Sequence, residues 1–404
     1  MARHKMRTAD ASSPLRESPL AAVAARFKDF RPAREVMKVV RAVPTRFIQF
    51  DHATRVGGLP VDRISVAHGP SNEGKTLLAL GLIDSFLALD HFGLFVDAER
   101  TTPITWAREL MGERADYPGF FATRPDTYEE TIKQVRAFLN LLIDMKAKGK
   151  VPKETSAVVV VDSLRKLVPA DLMAEILKAA KEEAEERKKG KKGKGITTGR
   201  DRRAQLQAKM NAGWMDELVP HLEHAGAAML LIAREMQDPD ADPMARKFGT
   251  DYKVGGGGAI IYDSSLRLRV ERAAWVVDKK EEGRKPVIFG ERHRVTIKKT
   301  KVGGKDDKAS VAYFHSSNGV LVPAGFDRAR DVLELAVRFG VVQAGGGSYR
   351  VGSTRSGVLG RGEHNVVKRL TAEPATLAKL EAEVRERFKD QTPTEFDEIT
   401  GEVE

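Results

Sequence analysis

The chain has 404 residues, long enough for two or three domains and a sizeable buried core. It has no cysteine, which excludes disulfides, thiolate metal sites and a cysteine nucleophile and fits a reducing, cytoplasmic setting. Its 68 Lys and Arg against 57 Asp and Glu give a net charge of +11, a balance that favours a polyanionic partner, and no apolar run reaches membrane-spanning length.

Residues 1–60 read as an arm ahead of the core. Met1 to Arg16 is polar and basic, without the apolar centre of a signal sequence. Leu20, Val23, Phe27 and Phe30 space as one face of a short amphipathic helix, and a connector runs on to Gly57-Gly58-Leu59-Pro60. Such an arm is free for other contacts, oligomerisation among them.

A predicted strand, Ile64 to His68, and a predicted helix, Leu77 to Asp90, flank Gly69-Pro70-Ser71-Asn72-Glu73-Gly74-Lys75-Thr76. Gly-x-x-x-x-Gly-Lys-Thr in this setting turns successive backbone N–H groups inward at a helix N-terminus, an anion cradle suited to nucleotide phosphates. Lys75 would reach the β- and γ-phosphates and Thr76 would ligate Mg²⁺, so Gly69 to Leu77 are the candidate ATP contacts.

Leu94–Val96 is the next apolar strand, and Glu99 just past it can orient, or take a proton from, an attacking water unless it is only a surface partner of Arg100. Ala157–Val161 runs into Asp162 at its carboxyl end, where a second carboxylate can hold Mg²⁺ through water. Ala227–Ala233 is a further buried strand, and these short apolar runs separated by amphipathic stretches predict a mostly parallel sheet with crossover helices. Two alternating runs, Leu266–Val270 and Arg294–Ile297, read as half-buried strands at the sheet edge.

Between Lys178 and Arg203 stand eleven basic and five acidic side chains, a net of +6, with Gly-Lys repeats that cannot bury a core. The segment is expected to be a mobile loop that contacts a polyanion or is simply solvated. After Pro323 the texture changes to short helices and the turn Gly345-Gly346-Gly347, a small separate domain over residues 324–388, and residues 389–404 form an acidic tail.

The phosphate loop, Asp97-Ala98-Glu99, Trp106-Ala107-Arg108-Glu109-Leu110, Arg124-Pro125-Asp126-Thr127 and Val160-Val161-Asp162-Ser163 resemble those of bacterial RecA recombinases, and the likeness runs from Gly57 to the C-terminal domain. It implies an α/β RecA-like P-loop ATPase core with a mostly parallel twisted sheet over residues 61–323, an N-terminal helical arm and a small α/β C-terminal domain. The resemblance puts Glu99 on the water-activating glutamate and Trp106 on the aromatic against adenine. It puts Lys299 and Lys301 on the two lysines that reach the γ-phosphate of a neighbouring subunit, where the residues alone say only a basic edge strand.

The same resemblance implies two DNA-binding loops. The second, Arg234 to Gly257, carries Arg246, Lys247, Phe248 and Gly249 and then the glycine run with Gly256 and Gly257. Phe248 falls on an apolar residue that inserts between bases, a wedge whose stacking offsets unstacking of the strand, although it could merely pin the loop. The first, roughly Leu172 to Gln207, is much longer than the family's and holds the basic insert; Lys209 matches a DNA-contacting position after it. Arg234 stands where the family has a polar amide that senses the γ-phosphate. The implied activity is an ATP- and Mg²⁺-dependent recombinase forming helical filaments on single-stranded DNA and exchanging strands with double-stranded DNA. The rivals are a RecA-core ATPase or helicase-type motor without exchange, which the glycine run and C-terminal domain oppose, and a scaffold with no hydrolysis, which Lys75 and Glu99 oppose.

Overall fold

A computed structural model describes residues 40–188, 200–238, 240–247, 252–278, 287–303, 310–352 and 357–389. The chain divides into two units, Met1–Val40 and Arg41–Glu404, and every element named below lies in the second. The predicted helix around Leu20 to Phe30, the Gly-Lys repeats, Phe248, Gly249 and the acidic tail lie outside the described residues.

In chain order the elements are β1 (Ala42–Val43), α1 (Ile48–Thr54), β2 (Leu59–Pro60), β3 (Arg63–His68), α2 (Lys75–Leu87), β4 (Phe92–Asp97), α3 (Ile104–Met111), β5 (Phe120–Thr123), α4 (Tyr128–Ala147), β6 (Ala157–Asp162), α5 (Ala170–Lys188), α6 (Arg200–Ala225) and β7 (Ala227–Ile232). There follow β8 (Glu235–Gln237), α7 (Pro243–Lys247), β9 (Tyr252–Val254), α8 (Gly258–Asp263), β10 (Leu266–Asp278), β11 (Val287–Thr300), β12 (Val311–Ser317) and β13 (Gly325–Phe326). The C-terminal elements are α9 (Arg328–Arg338), β14 (Val342–Gly345), β15 (Ser348–Val351), β16 (Val358–Arg361), α10 (Glu363–Ala372) and α11 (Pro374–Lys389).

Nine strands form one sheet in the order β13-β12-β11-β10-β3-β7-β6-β4-β5. From β10 to β5 neighbours run parallel, and β11, β12 and β13 continue antiparallel. The valines of β6 show why parallel strands read as unbroken apolar runs. Val158 and Val160 join one core with α2, while Val159 and Val161 join the opposite core with Trp214 and Leu218 of α6. Local chemistry starts the helices between: the Thr127 side chain accepts from Glu130 N at 3.2 Å and caps α4, and Asp327 caps α9 through Arg330 N at 3.1 Å. Among the described residues no helix is long and apolar enough to cross a membrane.

Three expectations change. The alternating strands are not at the edge: β10 pairs with β3 over Leu266–Arg269 and β11 lies beyond it, because each keeps one apolar face, Leu266, Leu268 and Val270 or Val295 and Ile297, inside the first core. The long basic insert is not a loop throughout, since α5 runs to Lys188 and α6 begins at Arg200; Leu172 is buried and Met173 and Ile176 half-buried, so an apolar stripe seats α5 just ahead of the charged stretch.

Residues 41–60, assigned with the arm, pack into the core instead. Phe47 and Phe50 enter the first core, while Ile48 joins the C-terminal cluster of Val332, Leu333, Leu370 and Leu380. Asp51 fixes that junction, accepting from Thr45 Oγ1 at 2.6 Å and Arg385 Nη1 at 2.8 Å. A helix of seven residues with apolar side chains on both sides is too short for a period to stand out in a sequence. The C-terminal unit itself folds as helices α9 to α11 around the small antiparallel sheet β14-β15-β16.

Candidate nucleotide site and nucleic-acid face

The carboxyl ends of β3, β4, β6 and β7 open onto a cavity of about 690 Å³, where an open α/β sheet commonly takes its ligand. It is lined by Ser71 to Leu77, Glu99, Trp106, Asp162, Arg234 and, from far along the chain, Arg272, Glu291 and His293. Gly69 and Pro70 complete the loop at its start.

The loop has to be glycine at two points. Gly69 has φ +154° and a Cβ there would stand 2.1 Å from Val270 O; Gly74 has φ +95° and a Cβ would meet His293 Nδ1 at 2.4 Å. β10 and β11 prop the loop from behind. Arg272 N donates to Glu73 Oε2 at 2.5 Å, Arg272 Nη2 to Asn72 O at 2.8 Å, and Glu291 Oε2 lies 3.0 Å from His293 Nε2. None of these supports is visible in the motif.

Lys75 Nζ donates to Gly69 O at 3.0 Å and to Pro70 O, holding the ammonium across the loop mouth, and burial lowers its pKa against the pull of Asp162, Glu235 and Glu99. Thr76 Oγ1 donates to Asp162 Oδ2 at 2.5 Å. Burial pushes Asp162 up to about 6, the Thr76 bond opposing and Glu99 adding to the rise. Glu99 does not pair with Arg100: its Oε1 accepts from Ser163 Oγ at 2.7 Å, while Arg100 bonds Asp126. Asp97, buried at the end of β4, accepts from Arg124 Nε at 3.0 Å and Thr101 N at 3.3 Å and so shapes the turn that carries Glu99. Trp106 lines the cavity and also packs on the first core.

Four further cations on the cavity wall are not marked by the sequence motifs: Arg165, Lys166, Arg203 and Arg272. The first two follow Val-Asp-Ser on a short 3₁₀ turn, Leu164–Lys166, a position that a motif search for the strand-end Asp passes over.

Beyond Arg234 the chain forms the hairpin β8–β9, Glu235 opposite Val254 and Gln237 opposite Tyr252. Its base is tied to the phosphate-loop strand: His68 Nδ1 lies 2.8 Å from Glu235 Oε1, Arg269 Nε donates to the same oxygen at 3.0 Å, and Tyr252 sits against His68 and under Arg269. Of the other expected DNA contacts, Arg246 and Lys247 fall on α7, Lys247 exposed, and Lys209 is exposed on α6. Gly256 and Gly257 have φ +106° and +88°, and a Cβ on Gly257 would stand 2.8 Å from Ala208 Cβ; here the glycines let this turn pack on α6. Asn211 Nδ2 donates to Gly256 O at 2.7 Å and fastens the two. Lys299 and Lys301 lie outside the cavity lining, their Nζ atoms donating to Ile261 O at 2.7 Å and Tyr262 O at 2.5 Å respectively. Burial and then the Lys301 charge lower Lys299 to about 8.

The family model of the RecA N-terminal domain matches residues 31–189. Proteins named RecA from Heliobacterium modesticaldum and Chlorobaculum parvum are 28% and 27% identical over 86% and 88% of this chain, and cover 84% and 86% of their own lengths. Protein RecA of Aquifex aeolicus is 27% identical over 92% of the chain and 91% of its own length. With the phosphate loop seated on this sheet and the likeness running almost end to end, the chain is similar to RecA proteins over most of its length.

Proposed function

We propose that this protein is a DNA-dependent ATPase that assembles as a helical filament on single-stranded DNA and promotes homologous pairing and strand exchange with a duplex. The observation that carries the reading is the convergence of Lys75, Thr76, Glu99, Asp162 and Arg234 on one cavity whose wall continues, through Arg234 and Glu235, into the hairpin of the second loop.

Lys75 and the loop amides bind the β- and γ-phosphates. The Thr76 hydroxyl and Asp162 carboxylate, already in contact, are hard oxygen donors that would hold Mg²⁺ together with the nucleotide's phosphates. Bound there, Mg²⁺ would neutralise charge developing on the phosphates. Glu99, oriented by Ser163, receives the proton of the attacking water. Lys299 and Lys301 act on the site of the next subunit, and Arg234 reads the γ-phosphate into the second loop, where Phe248, Arg246 and Lys247 meet bases and phosphates.

The test is ATP turnover by the full chain with and without single-stranded DNA, beside sedimentation of the protein on that DNA. Turnover and co-sedimentation that both need ATP and DNA support the reading, and turnover indifferent to DNA opposes it.

A further inference from the structure

We infer that Arg203 is a catalytic residue, an arginine supplied from within the same chain that meets the γ-phosphate as ATP is cleaved; the inference deepens the ATPase reading above and rests on it. The motif calls for one cation, Lys75. The cavity has five more: Arg165, Lys166 and Arg234 on strand-end turns, Arg203 on the first turn of α6, and Arg272, which Glu291 holds at 3.2 Å. Among the described residues no carboxylate pairs with Arg165, Lys166, Arg203 or Arg234, in contrast to Arg272. Four carboxylates line the same cavity, Glu73, Glu99, Asp162 and Glu291, and Glu291 is taken up by Arg272 and His293, so three carboxylates face the remaining five cations. Such an excess suits a triphosphate.

Arg203 is the cation of this group whose placement the structure explains. Its Nη2 donates to Arg165 O at 2.8 Å, and one turn later Gln207 Nε2 donates to Leu167 O and, at 3.3 Å, to Arg165 O. These bonds clip the start of α6 onto the turn after Asp162 and Ser163. One N–H of the guanidinium fork is used on the carbonyl, and the others are left for the cavity. Burial and the Arg165 charge lower its pKa, yet an arginine stays protonated.

In the reaction, water oxygen bonds to the γ-phosphorus, the bond to the β–γ bridging oxygen breaks with its electron pair leaving on ADP, and the proton of the water passes to Glu99. Negative charge grows on the bridging and γ-oxygens, and Arg203 donates hydrogen bonds to that charge. Hydrolysis then draws on a cation attached to the basic segment of its own subunit as well as on lysines from a neighbour.

The experiment compares the full chain with Arg203→Gln, Arg203→Lys and Arg203→Ala for DNA-stimulated turnover, ATP affinity, and affinity for ADP with aluminium fluoride against ADP alone. Arg203→Gln should lower kcat by about 10- to 100-fold with ATP affinity nearly unchanged, lose the preference for ADP with aluminium fluoride by a similar factor, and Arg203→Ala should regain turnover in added guanidinium. Arg203→Lys keeps a charge and a donor to Arg165 O, so it decides the matter should the Gln variant not fold; it too should fall in kcat. Wild-type kcat and wild-type aluminium fluoride preference in the folded variants would overturn the inference. A wild-type chain without turnover would count against the ATPase reading instead, and the aluminium fluoride comparison would still judge Arg203.

Discussion

The two walls of the nucleotide cavity are built in opposite ways. The phosphate-loop wall comes from eight consecutive residues, Gly69 to Thr76, shaped by two glycines and a helix start. The facing wall gathers Arg165, Lys166, Arg203 and Arg234 from three separate segments, brought together only because β6 and β7 are neighbours in the sheet and α6 is clipped to the turn after β6. A wall made by local chemistry announces itself in a sequence; a wall made by topology does not. The first should therefore govern whether ATP binds and reacts at all, and the second how reaction is tied to DNA and to neighbouring subunits.

The sharpest division is expected at Lys75 and Glu99. Glu99→Gln should lower turnover by about 10²- to 10⁴-fold, the usual worth of a general base, and leave ATP binding intact. Lys75→Ala should lose ATP-dependent assembly as well as turnover, since the loop keeps no cation of its own. Turnover by Lys75→Ala at the wild-type rate would break the phosphate-loop account.

The next effect separates charges within the site from charges supplied by a neighbour. Lys299 titrates near 8, lowered first by burial and then by Lys301. Because its folded value lies below the ordinary lysine range, its charge is present at neutral pH and is lost as pH rises through about 8. Turnover that relies on Lys299 across subunits should fall through that window, and Lys299→Arg, which stays charged, should flatten the fall. A profile with the same fall in Lys299→Arg would assign the titration to another group.

A smaller effect is expected at Arg234. One charge-assisted contact to a γ-oxygen is worth about 1.5–3 kcal/mol, so Arg234→Ala should lose roughly 10-fold or more of the ATP-over-ADP preference in DNA binding, while Arg234→Gln keeps most of it. Full retention in Arg234→Ala would shift the sensing role to Glu235, which already joins His68 of the phosphate-loop strand to Arg269.

The same contrast explains what could be read from the sequence. Four parallel strands, the phosphate loop, Glu99 and Asp162 were legible because each depends on a short run: a strand buried on both faces, a turn that needs glycine, a carboxylate at a strand end. Resemblance alone singles out Trp106, which lines the cavity. Burial of α1 was not legible, because Phe47, Phe50 and Ile48 serve two different cores within a single turn. Nor was the interior place of β10, whose alternating pattern is what an edge strand shows, with Arg267 and Arg269 on its polar face. In the basic insert, charge composition argues for a loop, while the apolar stripe through Leu172 and Ile176 ends ahead of it. Arg203 was counted there as one charge among many, since only the contact with Arg165 O makes it part of the nucleotide site.

The most direct measurement of the central claim is strand exchange between single-stranded DNA and a homologous or a heterologous duplex, run with the full chain, with ATP and without it. The account predicts joint molecules only with the homologous duplex and only with ATP. ATP turnover stimulated by DNA but no joint molecules, or equal products from the heterologous duplex, would contradict it and leave a motor in place of a recombinase.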